Sequence, residues 1–259
     1  MQHRLATRDQ WLEERRSLLE DEKKLMKLRD ALNQKRRALP WVKVEKAYTF
    51  TAPEGPLSLS DLFDGRSQLF IKHFMLGPGQ LQQCVGCSLE VDHVDGILPH
   101  FENHDLTYAV VARAPIEEIE AVRHRMGWHF RWVSSFGSDF NYDLNVSFTP
   151  ELIASGRALY NFQQPPAWAA GLVDLSGDSV FFKDETGQIF HTYSCFARGG
   201  EEFLGIYNYL DVTPKGRDET GPYHSLTDWA RPRNMYGKGG FVEANGRYHP
   251  STCRCSAHR

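Results

Sequence analysis

Two of the five cysteines in this chain form a C-V-G-C motif at Cys84 and Cys87. Two intervening residues let the second sulfur reach the first, so a disulfide can form and break there without refolding of the chain. The motif lies between an apolar segment and a helical pattern, which places Cys84 where a helix begins. Because N–H groups at a helix N-terminus favour a thiolate, we predict that Cys84 attacks a substrate and that Cys87 resolves the product.

A second pair of cysteines, Cys253 and Cys255, stands in a C-R-C motif near the C-terminus, with a histidine on each side. The sequence leaves three roles open for this pair. It could exchange electrons with the C-V-G-C pair, complete a copper or zinc site with those two thiolates and nearby imidazoles, or be incidental. Cys195 stands alone and is expected to be a buried apolar residue.

Strand-like and helix-like segments alternate around the C-V-G-C motif. Residues 68–75 and 106–112 are predicted to be buried strands, and residues 88–103 and 115–126 to be helices. Such alternation forms a βαβα unit with a parallel sheet, whose open end commonly carries the functional site. A helix, a β-hairpin and a closing helix are predicted further along, at residues 150–161, 180–193 and 201–210.

The two ends of the chain differ from this central part. Residues 8–39 carry apolar side chains every seven residues, and Thr7 with Gln10 resembles a capping box, which predicts a long helix or a helical hairpin. Its apolar stripe either packs on its own domain or forms a homodimer. We therefore divide the chain into a helical arm (1–40), an α/β domain (41–213) and an extended, irregular C-terminal tail (214–259).

Composition excludes several classes of function. A formal net charge of −3 offers no electrostatic footprint for nucleic acid. No apolar run approaches the roughly 18 to 20 residues that span a bilayer, so no membrane association is expected. The N-terminus has no apolar core of the kind found in signal peptides, and a cytoplasmic location is therefore expected.

Several longer strings resemble one known family almost end to end. They include LSLSDLFDGRSQLFIKHFMLGP, CVGCSLEVDHVDG, WVSSFGSDFNYDLNVSF and FHTYSCFARG. Over residues 8–219 the chain is similar to the domain of unknown function family 899, a bacterial group regarded as thioredoxin-like and described as dithiol-disulfide oxidoreductases. The resemblance implies an α/β, thioredoxin-like fold of the peroxiredoxin-like variant, in which helices flank a central sheet.

The resemblance also implies roles for individual residues. It supports Cys84 and Cys87 as the redox pair. It marks His73, Asp92 and His93 as neighbours of the site that could accept or relay a proton during exchange. The segment SSFGSDFNYD is expected to form a wall of the pocket.

Two departures from the expected patterns bear on the chemistry. Val85 stands where the family commonly has proline, which affects the redox potential of the pair. The stretch LSGDSVFF, which we align with the strand that faces the dithiol in thioredoxins, has no proline before it. This absence favours peroxiredoxin-like or specialised chemistry over general reduction of protein disulfides.

Three hypotheses follow from the sequence. In the first, the protein is an enzyme whose Cys84 and Cys87 act, without a cofactor, on a disulfide or peroxide substrate that is either a small molecule or a protein. In the second, Cys84, Cys87, Cys253 and Cys255 hold copper or zinc in a metal chaperone or a metal-dependent oxidase. In the third, the chain keeps the fold as a structural protein without turnover. The positions of the sulfur atoms distinguish among them.

Overall fold

The computed structural model describes residues 4–169 and 171–251. The C-R-C motif at Cys253 and Cys255, for which the sequence leaves three roles open, therefore lies outside the described residues. The chain divides into two compact units, Met1–Trp41 and Val42–Arg259.

The first unit is built on one uninterrupted helix, α1 (Arg8–Arg37), rather than on a helical hairpin. The expected capping box is present, because the Thr7 hydroxyl accepts from the Gln10 N–H and the Gln10 side chain accepts from the Thr7 N–H. No residue of α1 is buried, and Leu25 in the apolar stripe is 65% exposed. Association of two copies through this stripe stays a prediction.

The second unit contains all ten strands and the other six α-helices of the described residues. The strands are β1 (Val42–Lys43), β2 (Thr49–Ala52), β3 (Gly55–Ser58), β4 (Gln68–His73), β5 (Leu106–Ala112), β6 (Arg131–Ser134), β7 (Gly177–Lys183), β8 (Ile189–Phe196), β9 (Phe241–Val242) and β10 (Tyr248–His249). The helices are α2 (Val85–Val91), α3 (Leu98–Asn103), α4 (Ile116–Met126), α5 (Phe140–Asp143), α6 (Pro150–Ala154) and α7 (Gly205–Leu210).

Eight strands form one sheet in the order β1-β8-β7-β4-β5-β6-β2-β3. β4, β5 and β6 are parallel, whereas β7 and β8 are antiparallel to their neighbours. The strand order β8-β7-β4-β5, with α2 in the connection from β4 to β5, is the thioredoxin-like arrangement. The expected fold class is thereby confirmed, and a crossover of this kind carries α2 across one face of the sheet.

Side chains of β4 alternate between two buried faces of the sheet. Phe70 packs against the apolar cluster that contains Cys84 and Cys87. Leu69 and Ile71 belong to a separate cluster on the other face. Because successive side chains of a strand point to opposite faces, Lys72 lies on the face of the dithiol and His73 on the other.

The structure corrects several predicted helices. The helix expected over residues 88–103 begins earlier and is interrupted by a 3₁₀ turn (Val94–Gly96), after which Pro99 stands in the first turn of α3. The helix expected over 150–161 ends after Ala154, where Gly156 adopts a positive φ of 66°. The predicted closing helix is a 3₁₀ segment followed by the short α7.

The segment after residue 214 has little regular secondary structure, and part of it packs against the rest of the unit. β9 and β10 form a small antiparallel hairpin. Val242 and Tyr248 of this hairpin join Ala230 and Val85 in an apolar cluster, which fixes the hairpin against the start of α2. None of the described helices has the length and apolar character needed to cross a membrane.

Candidate active site

Cys84 caps the N-terminus of α2. Its backbone is extended (φ −64°, ψ 129°), and its Sγ accepts the N–H of Cys87 at 3.5 Å. Both residues are buried, and Cys84, Cys87 and Cys195 are all free thiols. The local structure therefore holds the two sulfurs of the motif side by side in their reduced state, as the spacing predicts.

The two thiols have different acidities. The pKa of Cys84 is lowered from its ordinary 9.0 to about 7, chiefly because the Cys87 thiol donates a hydrogen bond to it. Burial opposes this shift, while the N–H groups of Cys87 and Gly86 and the charge of Lys72 reinforce it. Burial, together with the neighbouring Cys84, raises the pKa of Cys87 well above its ordinary value. Near neutral pH Cys84 is therefore the thiol of the pair that ionises more readily.

A buried group of one lysine and two carboxyl side chains lies on the same face of the sheet. The Nζ of Lys72 is 2.5 Å from Oε2 of Glu90 and 3.4 Å from Oδ1 of Asp178. Lys72 pairs with Asp178 across β4 and β7, and Glu90 lies one helical turn after Cys87 on α2. A lysine buried to this extent requires such partners, because an isolated charge in the interior is very unfavourable.

Burial and the neighbouring Asp178 raise the pKa of Glu90 well above its ordinary value. Burial alone would lower the pKa of Lys72, but the charges of Asp178 and Glu90 outweigh it and hold that pKa well above the ordinary value. We therefore describe the group as a charged lysine held between two carboxyl groups, of which Glu90 has a pKa shifted upwards. The Lys72 charge also acts on both thiols of the motif.

A cavity of about 570 Å³ opens above the dithiol. Cys84, Cys87 and Glu90 contribute to its lining, together with Ser176 just before β7. The rest of its wall comes largely from later parts of the chain, within residues 197–207, 219–227 and 244–246. Two thiols and the Glu90 carboxyl group therefore face one space large enough for a small organic molecule, and that space is also lined by other titratable side chains, including Glu219 and His224.

The structure does not bring His73 to the dithiol. His73 is fully buried on the opposite face of the sheet, where Nε2 lies 2.9 Å from the Ser179 hydroxyl and the ring packs against Phe140. Burial first, and then the charge of Lys72, lower the pKa of His73 to about 3. Because side chains alternate along β4, Lys72 lies on the face of the dithiol, where the sequence analysis expected His73.

Asp92 and His93 do not line the cavity either. Asp92 ends α2, and its carboxylate accepts the Trp128 indole N–H at 2.8 Å and lies 3.4 Å from Arg233. His93 is exposed and precedes the 3₁₀ turn after α2. Residues 134–143, which include the expected wall SSFGSDFNYD, are likewise absent from the lining.

Sequence reasoning missed Lys72 and Glu90, although each carried a signal. Lys72 is a cation inside the otherwise apolar string QLFIKHFM, where a charge needs a buried partner. Glu90 follows Cys87 by three residues, a spacing that puts both side chains on one face of a helix. What the sequence did not indicate is that β7 supplies the second carboxylate, Asp178.

The third described thiol is separate from the pair. Cys195 on β8 is buried, its Sγ lies 3.8 Å from Oδ2 of Asp178, and burial raises its pKa to about 12. It is therefore a buried protonated thiol, as the sequence suggested. Within residues 4–169 and 171–251, no three His, Cys, Asp or Glu side chains are grouped so that they could hold a metal ion.

A family model describes much of this chain. The family "Bacterial protein of unknown function (DUF899)" matches residues 1–236. The chain belongs to this family. Its description gives no activity, and no curated protein matches the chain in sequence. The matched residues include the dithiol, Lys72, Glu90 and Asp178, whereas the β9–β10 hairpin lies beyond them.

Solved structures of peroxiredoxins are similar to the chain at low identity. A mutant of PrxQ from Xylella fastidiosa is 14% identical and aligns over 64% of this chain and 89% of its own, with a TM-score of 0.40. The mitochondrial 2-Cys peroxiredoxin from Plasmodium falciparum is 14% identical over 66% and 94%, with a TM-score of 0.39. Peroxidoxin BcpB from Mycobacterium tuberculosis is 11% identical over 66% and 96%, with a TM-score of 0.36. The fold assignment rests on the strand order described above.

Proposed function

We propose that this protein is a dithiol oxidoreductase in which the reduced Cys84–Cys87 pair passes two electrons to a disulfide or a peroxide. The observation that carries this proposal is the pairing of two unlike thiols at one cavity. Cys84 ionises near neutral pH, and Cys87 keeps its proton directly beside it. A nucleophile next to a protonated resolving thiol is the arrangement that stepwise thiol exchange requires.

With a disulfide substrate, the Cys84 thiolate attacks one sulfur and the other sulfur leaves as a thiolate. A mixed disulfide then links Cys84 to half of the substrate. Cys87 loses its proton and attacks the Sγ of Cys84, which releases the second half as a thiolate and leaves an internal disulfide. The protein loses two electrons, and the substrate disulfide gains them.

With a peroxide substrate, the Cys84 thiolate attacks one peroxide oxygen and the other oxygen leaves as an alcohol or water after taking up a proton. Cys84 becomes a sulfenic acid. Its condensation with the Cys87 thiol releases water and forms the same internal disulfide. Both routes therefore end in one oxidised state of the protein.

Glu90 fits the role of proton carrier in these steps. Its raised pKa favours the protonated form, it lines the cavity, and it lies one helical turn from Cys87. It can donate that proton to the first leaving group and then accept the proton that Cys87 must lose. Lys72, itself held by Asp178, would keep Glu90 in position and balance its negative charge after it has given up the proton.

Single-turnover oxidation tests the proposal, and it needs no external reductant. Reduced protein, with Cys253 and Cys255 replaced by serine, is mixed with 2-hydroxyethyl disulfide or hydrogen peroxide, quenched in acid, alkylated and weighed by mass spectrometry. We expect the internal disulfide to form with either or both oxidants. With the disulfide, Cys87→Ser should accumulate a mixed disulfide and Cys84→Ser should not react.

Cys195→Ser is the matched control, because Cys195 is another buried thiol that does not line the cavity. It should form the disulfide like the parent protein. The proposal is wrong if the parent forms no internal disulfide with either oxidant, or if Cys84→Ser is oxidised as fast as the parent.

A further inference from the structure

The hairpin formed by β9 and β10 lies over Cys84, and we infer that it restricts the substrates of the dithiol to low-molecular-weight disulfides and peroxides. Disulfides within proteins would be excluded. This inference rests on the proposed function and specifies its substrate class. It depends on contacts between the β9–β10 hairpin and Cys84, which the C-V-G-C motif alone does not predict.

The turn of the hairpin touches the nucleophile directly. The Val85 N–H donates to the Gly246 carbonyl at 2.9 Å, and Cys84 forms an isolated antiparallel bridge with Arg247. Gly246 lies so close that a Cβ there would be 3.3 Å from the Cys84 Sγ. Only 6% of the surface of Cys84 is exposed.

The hairpin is anchored in the core of the unit. Tyr248 is 1% exposed, its hydroxyl donates to the Gly239 carbonyl at 2.8 Å, and it packs with Val242, Ala230 and Val85. The Glu243 N–H donates to the Arg247 carbonyl, and the Gly246 N–H donates to the Glu243 carbonyl, both at 2.9 Å. These bonds hold the turn in place over Cys84.

The space that remains suits a small molecule better than a polypeptide. Thiol exchange requires the substrate sulfur to reach Sγ with its leaving sulfur directly behind, so both sulfurs must enter the cavity. In a protein disulfide the two Cα atoms are about 5.5 Å apart, and a chain continues in two directions from each of them. The cavity has a volume of about 570 Å³, and the hairpin turn contacts Cys84 inside it. It can hold a whole small molecule but not two polypeptide segments joined by a disulfide.

A comparison of three oxidants tests the inference on the full chain. The rate constant for internal disulfide formation is measured with 2-hydroxyethyl disulfide, hydrogen peroxide and insulin, whose interchain disulfides are accessible. We expect one or both small oxidants to react at least about 100-fold faster than insulin, because a substrate that cannot reach the attack geometry loses at least that factor.

Two substitutions in the hairpin make the test specific. Tyr248→Ala removes the buried anchor, and we expect it to raise the rate with insulin relative to the small oxidants by about 10-fold or more. Phe241→Ala is the matched control, because Phe241 is an aromatic residue of the same hairpin that is 58% exposed. It should leave the ratio unchanged. Thermal melts of both variants confirm that they are folded.

A pair of glycine variants tests the contact without loosening the hairpin. Gly246→Ala places a methyl group against Sγ and should slow alkylation of Cys84 by iodoacetamide. Gly237→Ala is its control, since Gly237 has a similar positive φ but nothing within 4 Å of the added carbon. Both variants carry the same backbone strain, so a slower reaction in Gly246→Ala alone reports the contact.

The outcomes separate the two proposals. If insulin reacts as fast as the small oxidants, the substrate class is wrong and the dithiol chemistry stands. The hairpin has no restricting role if Tyr248→Ala is folded and leaves the ratio unchanged, or if both glycine variants react like the parent. If none of the three oxidants produces the internal disulfide, the proposed function fails, and the inference fails with it.

Discussion

The Nζ of Lys72 lies 2.5 Å from Oε2 of Glu90 on the face of the sheet that carries the dithiol. Both residues are buried, and Asp178 completes the group at 3.4 Å from the same nitrogen. The charge of one lysine thus pairs with two acidic side chains, and it also acts to lower the pKa of both thiols of the motif. We therefore expect both the stability of the protein and the acidity of Cys84 to depend on this side chain.

Replacement of Lys72 by methionine should therefore affect both properties. The variant leaves Glu90 and Asp178 without their cation, so we expect the free energy of unfolding to fall by about 3–5 kcal/mol. The pKa of Cys84 should rise because a favourable charge is lost. Urea unfolding and the pH dependence of alkylation measure the two effects. Lys215→Met, at an exposed position, is the control. A loss of stability no larger than that of the control would contradict the pairing.

The reactivity of Cys84 should follow an ionisation near pH 7. The thiolate fraction is nearly complete above this pKa and falls about tenfold for each pH unit below it. Iodoacetamide alkylation of the protein with Cys253 and Cys255 replaced by serine measures this profile. Cys87→Ala removes the hydrogen bond that is the largest cause of the shift, so its midpoint should move to higher pH. A parent midpoint at or above the ordinary thiol value of 9.0 would overturn the assignment of Cys84 as the activated thiol.

Replacement of Glu90 by glutamine should slow the proton-dependent steps and leave the thiolate in place. We expect the internal disulfide to form at least about 100-fold more slowly, a typical loss when a positioned acid or base is removed. Alkylation of Cys84 should change little. Asp92→Asn is the matched carboxylate variant on the same helix end, and it also tests the role that the sequence suggested for Asp92. If Asp92→Asn slows the disulfide step and Glu90→Gln does not, the proton carrier is Asp92.

The buried His73 should make the protein less stable in acid. Its pKa is about 3 in the folded state against an ordinary 6.5, so below pH 6.5 the unfolded chain binds a proton that the folded chain does not. The free energy of unfolding should accordingly decrease by up to about 1.4 kcal/mol per pH unit as the pH falls from 6.5 towards 3.

His73→Gln should flatten this dependence while the rate of disulfide formation stays unchanged, since His73 does not face the dithiol. Urea unfolding between pH 4 and 7 measures the slope. His100→Gln is the control, because His100 is exposed. An unchanged slope in His73→Gln would show that His73 is protonated in the folded state. A loss of redox activity in a folded His73→Gln would restore it as a residue of the site.

Local patterns in the sequence determined much of the framework. The capping box at Thr7 and Gln10, the strand over residues 106–112 and the position of Cys84 at the start of a helix all agree with the structure. Each depends on residues that are close together in the chain, where hydrogen-bond spacing and apolar periodicity act directly.

Tertiary structure decided which side chains join the dithiol. Alternation along β4 separates Lys72 from His73, but only the crossover from β4 to β5 determines which face α2 covers. Asp178 reaches the site because β7 pairs with β4 at that register, and Gly246 because a hairpin 162 residues later in the chain packs on Val85. Such contacts arise from the packing of distant segments, and no local pattern in a single sequence specifies them.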